Sequence, residues 1–501
     1  MVASVKPYAD ELGLSDGLML IDGQWVPSAS GATWGHLHPA TAEQVASFPV
    51  AGTEDVDRAV RAARRAFDEG PWPSTRAGER ARVLRRIADL VREHGDELLK
   101  LQALDNSVPL TFSEIYVTSA EFVADAFEHH AGWVDKLSGE TLPAYQGGEH
   151  MVFTLREPVG VVAAVIPWNA PLMLLAQKIA PALAAGCTVV VKPSEYATFS
   201  ILRLVSLIAP ELPDGVLNVV TGPGDPTGDA LINHPGIDKI SFTGSRAVGS
   251  RILHASADGC KRVSLELGGK SPALVFGDAD VATAAGTTMG TVTLGLSGQV
   301  CVAQTRALVH ADVLDEFVES AVMIGSMVNY GNPFDPEVTS SPLINAKQVD
   351  RVLGYVNRGV EEGATLICGG ERAGGDLAEG NFVTPALFTG VSNDMAIARD
   401  EIFGPVLTVI PFTSEEEAVR IANDTSYGLS ATVWTSDLRR AMRLTKALRV
   451  GTVGINGYQV EPNWPFGGFR QSGLGREGGR AAIEAYTELK TALLPLTDEM
   501  M

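Results

Sequence analysis

Four cysteines, at positions 187, 260, 301 and 368, are all the chain carries, and no two stand at a spacing that ligates a metal or frames a disulfide scaffold. A cysteine-built metal site and a disulfide-stapled fold are therefore not expected, and a reducing cytoplasm is the expected setting. Positive charge is also scarce: 39 Lys and Arg stand against 60 Asp and Glu, a formal net charge of −21. That deficit works against any nonspecific grip on nucleic acid or an anionic membrane surface, and leaves small molecules as the expected partners. Residues 1–17 contain Lys6, Asp10, Glu11 and Asp16 and no apolar block of signal-peptide length, so export is not expected. The uncharged stretch 159–176 nears spanning length, but Pro167, Asn169 and Pro171 interrupt it, and it reads as strand, turn and helix. Internal repeats and low-complexity segments are absent; 369–380 has the most loop-like composition of the second half.

What is present is ample apolar material: 501 residues, 45% of them hydrophobic, enough for about two or three domains. Short apolar runs at 161–166, 188–191, 216–220, 240–243 and 273–276 are bounded by glycine, proline or charge and read as buried strands. Segments of helical length at 172–184, 199–209 and 247–257 fall between them. Alternation of strand and helix predicts an α/β fold with a parallel sheet covered on both faces. Upstream, Val56, Ala59, Val60, Ala63 and Phe67, then Val83, Leu84, Ile87, Leu90 and Val91, repeat near 3.6 and predict two amphipathic helices.

Two residues stand out chemically. Glu266 precedes Gly268 and Gly269, and Cys301 follows Ser297, Gly298 and Gln299. A thiolate attacks carbonyl carbon, and a carboxylate can activate water to cleave the resulting acyl–sulfur bond. Cys187, Cys260 and Cys368 read as small buried hydrophobes, the ordinary habit of free cysteine. Cys301 differs because Ser297, Gly298, Gln299, Gln304 and Thr305 make a small polar segment that exposes a thiol. For Glu266 the plain alternative is a salt-bridged charge at a strand end; the following glycines allow close backbone approach instead.

Cofactor signals are dispersed. Gly222, Gly224 and Gly228 follow the run at 216–220 and nearly spell a dinucleotide fingerprint, but the last glycine comes one residue late and Pro226 interrupts the helix start. Phe242, Thr243, Gly244 and Ser245, leading to Val248 and Gly249, run from strand through a glycine turn into a helix whose free N–H groups suit a pyrophosphate; a plain strand-to-helix junction is the alternative. At the end of the run 188–191, Lys192 can donate to ribose or phosphate. Ser194 follows it, and Glu195 can accept both ribose hydroxyls while repelling a 2′-phosphate, which favours NAD over NADP.

Taken in order, Pro167-Trp168-Asn169, Lys192-Pro193-Ser194-Glu195, Phe242-Thr243-Gly244-Ser245, Glu266-Leu267-Gly268-Gly269-Lys270, Gly298-Gln299-Val300-Cys301, Glu401-Ile402-Phe403-Gly404-Pro405 and Pro465-Phe466-Gly467-Gly468 with Ser472-Gly473 resemble the aldehyde dehydrogenase superfamily over nearly the whole chain. The resemblance implies a nucleophilic Cys301, a general base Glu266, and an oxyanion site from the Asn169 amide and the Cys301 N–H, with Lys192 counted in the same catalytic set. An Asn169 that merely caps the helix at 172–184 is the alternative. It further implies that Ile166, Pro167, Trp168, Leu267, Gly268, Glu401 and Phe403 lie along an NAD molecule, Glu401 and Phe403 at the nicotinamide end. The reaction implied is attack of Cys301 on an aldehyde, hydride loss to the nicotinamide, and hydrolysis of the thioester to a carboxylic acid.

By the same resemblance, 1–128 with 152–264 would bind the cofactor, 265–480 would carry the catalytic cysteine, and 129–151 with 481–501 would form a strand-rich arm that makes a homodimer or homotetramer. The chain departs from many relatives at Ala170 and Gly295, where bulky aromatics often stand. A pocket of Ala170, Leu174, Gly295, Leu296, Val300, Val302, Tyr458 and Trp464 is then wider than average and suits a bulky apolar aldehyde, with Trp464, Leu296 and Tyr458 able to refill part of the space. A CoA-acylating enzyme, a noncatalytic binding protein on the same fold and a nicotinamide-free cysteine hydrolase are the rival readings; Glu266, the intact trio of Cys301, Glu266 and Asn169, and the Lys192–Glu195 anchor speak against each in turn.

Overall fold

A computed structural model describes residues 2–145 and 150–496; of the segments read as an arm, 146–149 and 497–501 fall outside the described residues. Two large sheets organise the chain. The first has eight strands in the spatial order Gly473–Leu474, Arg262–Glu266, Lys239–Thr243, Val161–Val165, Thr188–Lys192, Leu217–Val219, Met19–Ile21 and Gln24–Val26. The five strands from Arg262–Glu266 to Leu217–Val219 run parallel. Their near-continuous Val, Ile and Ala runs follow from that arrangement, because helices cover both faces and all the side chains but Arg262, Val263 and Val165 are buried. On one face pack the helices Ala77–Glu93, Ala120–Ala131, Pro171–Ala185 and Phe199–Ile208, on the other Thr53–Asp68 and Arg246–Ala257.

The run at 273–276 does not join this sheet. It forms the strand Pro272–Val275 of a second, seven-stranded sheet ordered Thr365–Cys368, Ala386–Thr389, Val406–Phe412, Arg306–His310, Pro272–Val275, Ser430–Trp434 and Thr452–Ile455. The α/β class holds; the alternation simply passes from one sheet to the next at Gly268–Gly269. The chain later returns, and Gly473–Leu474 pairs antiparallel with Leu265 and Glu266. A third sheet joins His150–Pro158 to Thr487–Pro495 and Thr141–Leu142.

Strand order locates a crevice. From Val161–Val165 the chain builds outward through Thr188–Lys192 to Leu217–Val219, then crosses back to Lys239–Thr243 on the other side. The carboxyl ends of Val161–Val165 and Lys239–Thr243 therefore flank the topological switch point, where open α/β sheets take ligands. Among the described residues no helix is long and apolar enough to cross a membrane, and the stretch 159–176 is strand, turn and helix.

Candidate active site

A cleft of about 900 Å³ opens at that switch point and reaches across to the second sheet. Three strand ends of the first sheet supply Pro167, Trp168 and Asn169, then Thr243, Gly244 and Ser245, then Glu266, Leu267 and Gly268. From the other side come Leu296, Val300, Cys301, Val302, Glu401, Phe403 and Tyr458, while Ala170 and Leu174 line it from the start of the helix Pro171–Ala185. Residues far apart in sequence thus meet in one space.

The loop before Cys301 is pinned from several sides. Ser297 and Gly298 both have positive φ, 49° and 70°, and a Cβ at Gly298 would strike the Gly404 carbonyl. The Gln299 amide donates to the carbonyls of Leu296 at 2.9 Å and Pro342 at 3.1 Å and accepts from the Ile344 N–H at 2.9 Å. Asn169 Nδ2 donates to the Gln299 carbonyl at 3.0 Å, two residues before the sulfur. The cap position of the helix Pro171–Ala185 is Ala170, with no side-chain cap, so Asn169 serves the cysteine loop instead. Asn106 Nδ2 holds the same turn by donating to the carbonyls of Trp168 at 2.9 Å and Asn169 at 3.3 Å.

Burial dominates the electrostatics of the site. Cys301 is half-buried, and its thiol is pushed up to about 12, first by burial, then by the charges of Glu401 and Glu266. Glu266 is 3% exposed and neither carboxyl oxygen has a hydrogen-bond partner. Burial, reinforced by the nearby Glu477, holds its carboxyl well above the ordinary carboxylate range against the opposing pull of Lys178 and Arg476. An unpartnered carboxyl with a raised pKa is a strong base once ionised. Its strand end is fixed by Ser472, whose carbonyl accepts the Leu267 N–H at 2.9 Å and whose hydroxyl donates to the Gly268 carbonyl at 2.7 Å. Glu401 is raised to about 7 by burial, opposed by the Gly269 N–H that it accepts at 3.2 Å and by Lys270. Gly268 lies so close that a Cβ there would overlap the Glu401 carboxylate.

Several expected residues lie outside the lining of this cleft. Ile166 is buried in the core of the first sheet. Lys192, Ser194, Glu195, Gly224 and Gly228 follow neighbouring strands of the same parallel sheet and so stand at the same carboxyl edge. Lys192 Nζ donates to the Pro193 carbonyl at 2.8 Å and lies 3.7 Å from Glu195 Oε2; Ser194 Oγ donates to that same oxygen at 3.4 Å. Gly228 stands beside the Lys192 stem, where a Cβ would be 3.8 Å from its Cδ. Val248 donates its N–H to Ser245 Oγ at 3.4 Å, capping the helix Arg246–Ala257, and Gly249 packs against Leu267.

Three expectations are corrected. Gly295 does not widen the pocket, because the Phe112 ring occupies the space where its Cβ would stand, and its φ of 67° suits glycine for backbone reasons. Trp464 is 47% exposed and does not line the cleft, so Phe112 refills the space in its place. Cys260, read as a core thiol, is exposed at a positive-φ turn after Arg246–Ala257; Cys187 is buried and Cys368 half-buried.

Other contributors escaped the sequence reading. Gln348 and Arg351, from the helix Ala346–Glu361, hold the turn 401–403, in which Phe403 has a φ of 61°: Gln348 Nε2 donates to the carbonyls of Ile402 at 3.0 Å and Phe403 at 2.7 Å. Arg351 Nε donates to the Ile402 carbonyl at 3.2 Å. Lys178, fully buried, pairs with Glu477 and donates to Thr243 Oγ1 at 2.7 Å. Gln177 and Phe112 line the cleft. The available signal was a pair of polar residues, Gln177 and Lys178, in an otherwise apolar helix.

Comparison with known proteins agrees with this geometry. The model of the aldehyde dehydrogenase family matches residues 25–492. The mitochondrial benzaldehyde dehydrogenase of Antirrhinum majus is 43% identical over 495 residues, covering 98% of this chain and 91% of its own. Phenylacetaldehyde dehydrogenase of Pseudomonas fluorescens is 42% identical over 483 residues, covering 95% of each. The solved NAD+ complex of an aldehyde dehydrogenase from Bacillus cereus superimposes with a TM-score of 0.94 at 39% identity, covering 99% of this chain and 100% of that one. With a match that long and a cleft so furnished, the chain belongs to the aldehyde dehydrogenase family.

Proposed function

We propose that the protein oxidises an aldehyde to a carboxylic acid with NAD, through a covalent intermediate on Cys301. The observation that carries the reading is the meeting of a half-exposed thiol, a donor amide and a buried carboxyl without partners, Cys301, Asn169 and Glu266, in one cleft. The thiol is protonated at neutral pH and passes its proton through ionised Glu266 to solvent as sulfur attacks the carbonyl carbon. Asn169 Nδ2 and the Cys301 N–H donate to the oxygen as it becomes an alkoxide. When bound, NAD supplies the hydride acceptor. Collapse of the alkoxide then leaves a thioester on sulfur. Ionised Glu266 takes a proton from water, the hydroxide adds to the thioester carbon, and the C–S bond breaks to release the acid and Cys301. Glu266 in the cleft favours water over coenzyme A as the acyl acceptor.

The carboxyl edge fits the cofactor. Lys192 and Glu195 would offer a donor and a carboxylate for ribose, Ser245 and its helix N-terminus would hold a phosphate, and Gly268 keeps open a space that a Cβ would fill. The Bacillus cereus relative is solved with NAD+, which supports the same choice here, and the Glu195 charge disfavours a 2′-phosphate. Bulky apolar aldehydes suit a largely apolar end built by Phe112, Ala170, Met173, Leu174, Leu296 and Phe466, and relatives are named for benzaldehyde and phenylacetaldehyde.

In this reading 1–128 with 159–264 bind the cofactor, 265–480 carry the catalytic cysteine, and the arm that mediates self-association runs from 129–151 on through Pro158, where the third sheet continues, and resumes at 481–501. Met151, Leu155 and Leu494 are exposed on one face of the third sheet and Leu489 and Leu493 on the other, apolar surface suited to a second copy of the chain. Four free cysteines fit a reducing cytoplasm. Incubation with phenylacetaldehyde and NAD should yield NADH and phenylacetic acid in equal amounts without coenzyme A; formation of an acyl-CoA only when coenzyme A is added, or no turnover of any aldehyde, contradicts it.

A further inference from the structure

Gln177 is 2% exposed, lines the cleft, and has no hydrogen-bond partner on either Oε1 or Nε2. Protein interiors rarely leave one buried polar atom unpaired, and here both ends of one amide are orphaned. Its place follows from the helix Pro171–Ala185: Ala170, Met173, Leu174 and Gln177 are spaced i, i+3, i+4 and i+7 and all four line the cleft, whereas Lys178, next in sequence, is outside the lining and is held by Glu477 and Thr243. Gln177 thus stands on the stripe that bounds the cavity, its amide buried there without a partner.

We infer that Gln177 recognises an uncharged oxygen substituent on the body of the aldehyde, a hydroxyl above all. A hydroxyl both donates and accepts, so it satisfies an amide that offers N–H and C=O side by side. A charged substituent does not suit the position, because the helix neighbours Ala170, Met173 and Leu174 would strip its water and return no opposite charge. The substrate class is then an oxygenated aryl or alkyl aldehyde: apolar enough for Met173, Leu174 and Phe112, with one hydrogen-bonding group set back from the carbonyl. This rests on the proposed oxidation of aldehydes and narrows its substrate.

The test compares 3- and 4-(hydroxymethyl)benzaldehyde with 3- and 4-ethylbenzaldehyde, which match in shape and differ in the hydroxyl, on the wild-type enzyme and on Gln177→Leu and Gln177→Met. The wild type should favour one hydroxymethyl compound over its ethyl twin by about tenfold or more in kcat/KM, since the analogue lacking the hydroxyl leaves the amide unpaired. That ratio should fall to about one or invert in both variants. Equal kcat/KM for both twins in the wild type, or a preference that survives in Gln177→Leu and Gln177→Met, overturns the inference and assigns the amide a bound water only. Absence of NADH with all four aldehydes in all three proteins is a different pattern, and overturns the aldehyde reading together with this one.

Discussion

Replacing Asn169 by alanine isolates the oxyanion donor. In the resting structure Nδ2 makes one identified hydrogen bond, to the Gln299 carbonyl at 3.0 Å, so the folded state loses about 1 kcal/mol, a small loss for a domain of this size. The transition state loses more, because a fixed donor facing developing negative charge is worth about 3 kcal/mol. At about 1.4 kcal/mol per tenfold, the first-turnover rate of NADH formation should fall by about 100-fold or slightly more. Asn169 also lines the cofactor side of the cleft through its neighbours Pro167 and Trp168, so NAD affinity is the control. Stopped-flow absorbance of NADH, paired with a fluorescence titration of NAD, separates the two effects. A first-turnover rate within about fivefold of the wild type, or a loss explained wholly by weaker NAD binding, would refute the assignment.

Three further outcomes follow from the buried groups. Glu266 is held protonated in the folded state above the ordinary carboxylate range, so its ionisation costs stability as pH rises above the unfolded value; Glu266→Gln should raise the unfolding midpoint at pH 8, and the gain should vanish when pH falls below about 4.3, the unperturbed carboxyl value. Lys178→Met strands Glu477, which is 3% exposed, and should lower stability by about 3–5 kcal/mol in denaturant unfolding, with most of the loss recovered in Lys178→Met/Glu477→Leu; equal stability of the two variants contradicts the buried pairing. Gly295→Ala meets a positive φ and the Phe112 ring together and should cost about 1–3 kcal/mol, of which Phe112→Ala relieves only the steric share.

The sequence carried those parts of the site whose signal is local. Glu266 beside two glycines, Cys301 in a polar turn, and the strand ends before Pro167 and Gly244 each announce themselves within a few residues, and all line the cleft. What stayed hidden depends on long-range return of the chain. Phe112 fills the space over Gly295 from a segment more than a hundred residues upstream, and nothing in either neighbourhood records the other. Ser472 anchors the Glu266 turn, and Gln348 hangs on the backbone of Phe403, by the same kind of distant closure. The helix at 172–184 was legible from its apolar run, but that Gln177 faces the cleft and Lys178 faces Glu477 required the helix to be placed against its neighbours. Sheet membership was hidden for the same reason: the run at 273–276 has the local features of a buried strand in either sheet, and only the turn at Gly268–Gly269 decides which.

The central claim, covalent chemistry at one sulfur with hydrolysis assigned to one carboxylate, is tested most directly by mass spectrometry of Glu266→Gln quenched after mixing with phenylacetaldehyde and NAD. One equivalent of NADH should appear in a burst, and the acyl mass should sit on the peptide containing Cys301 and persist. Steady turnover without any adduct, or an acyl group found on Cys187, Cys260 or Cys368, would contradict the account.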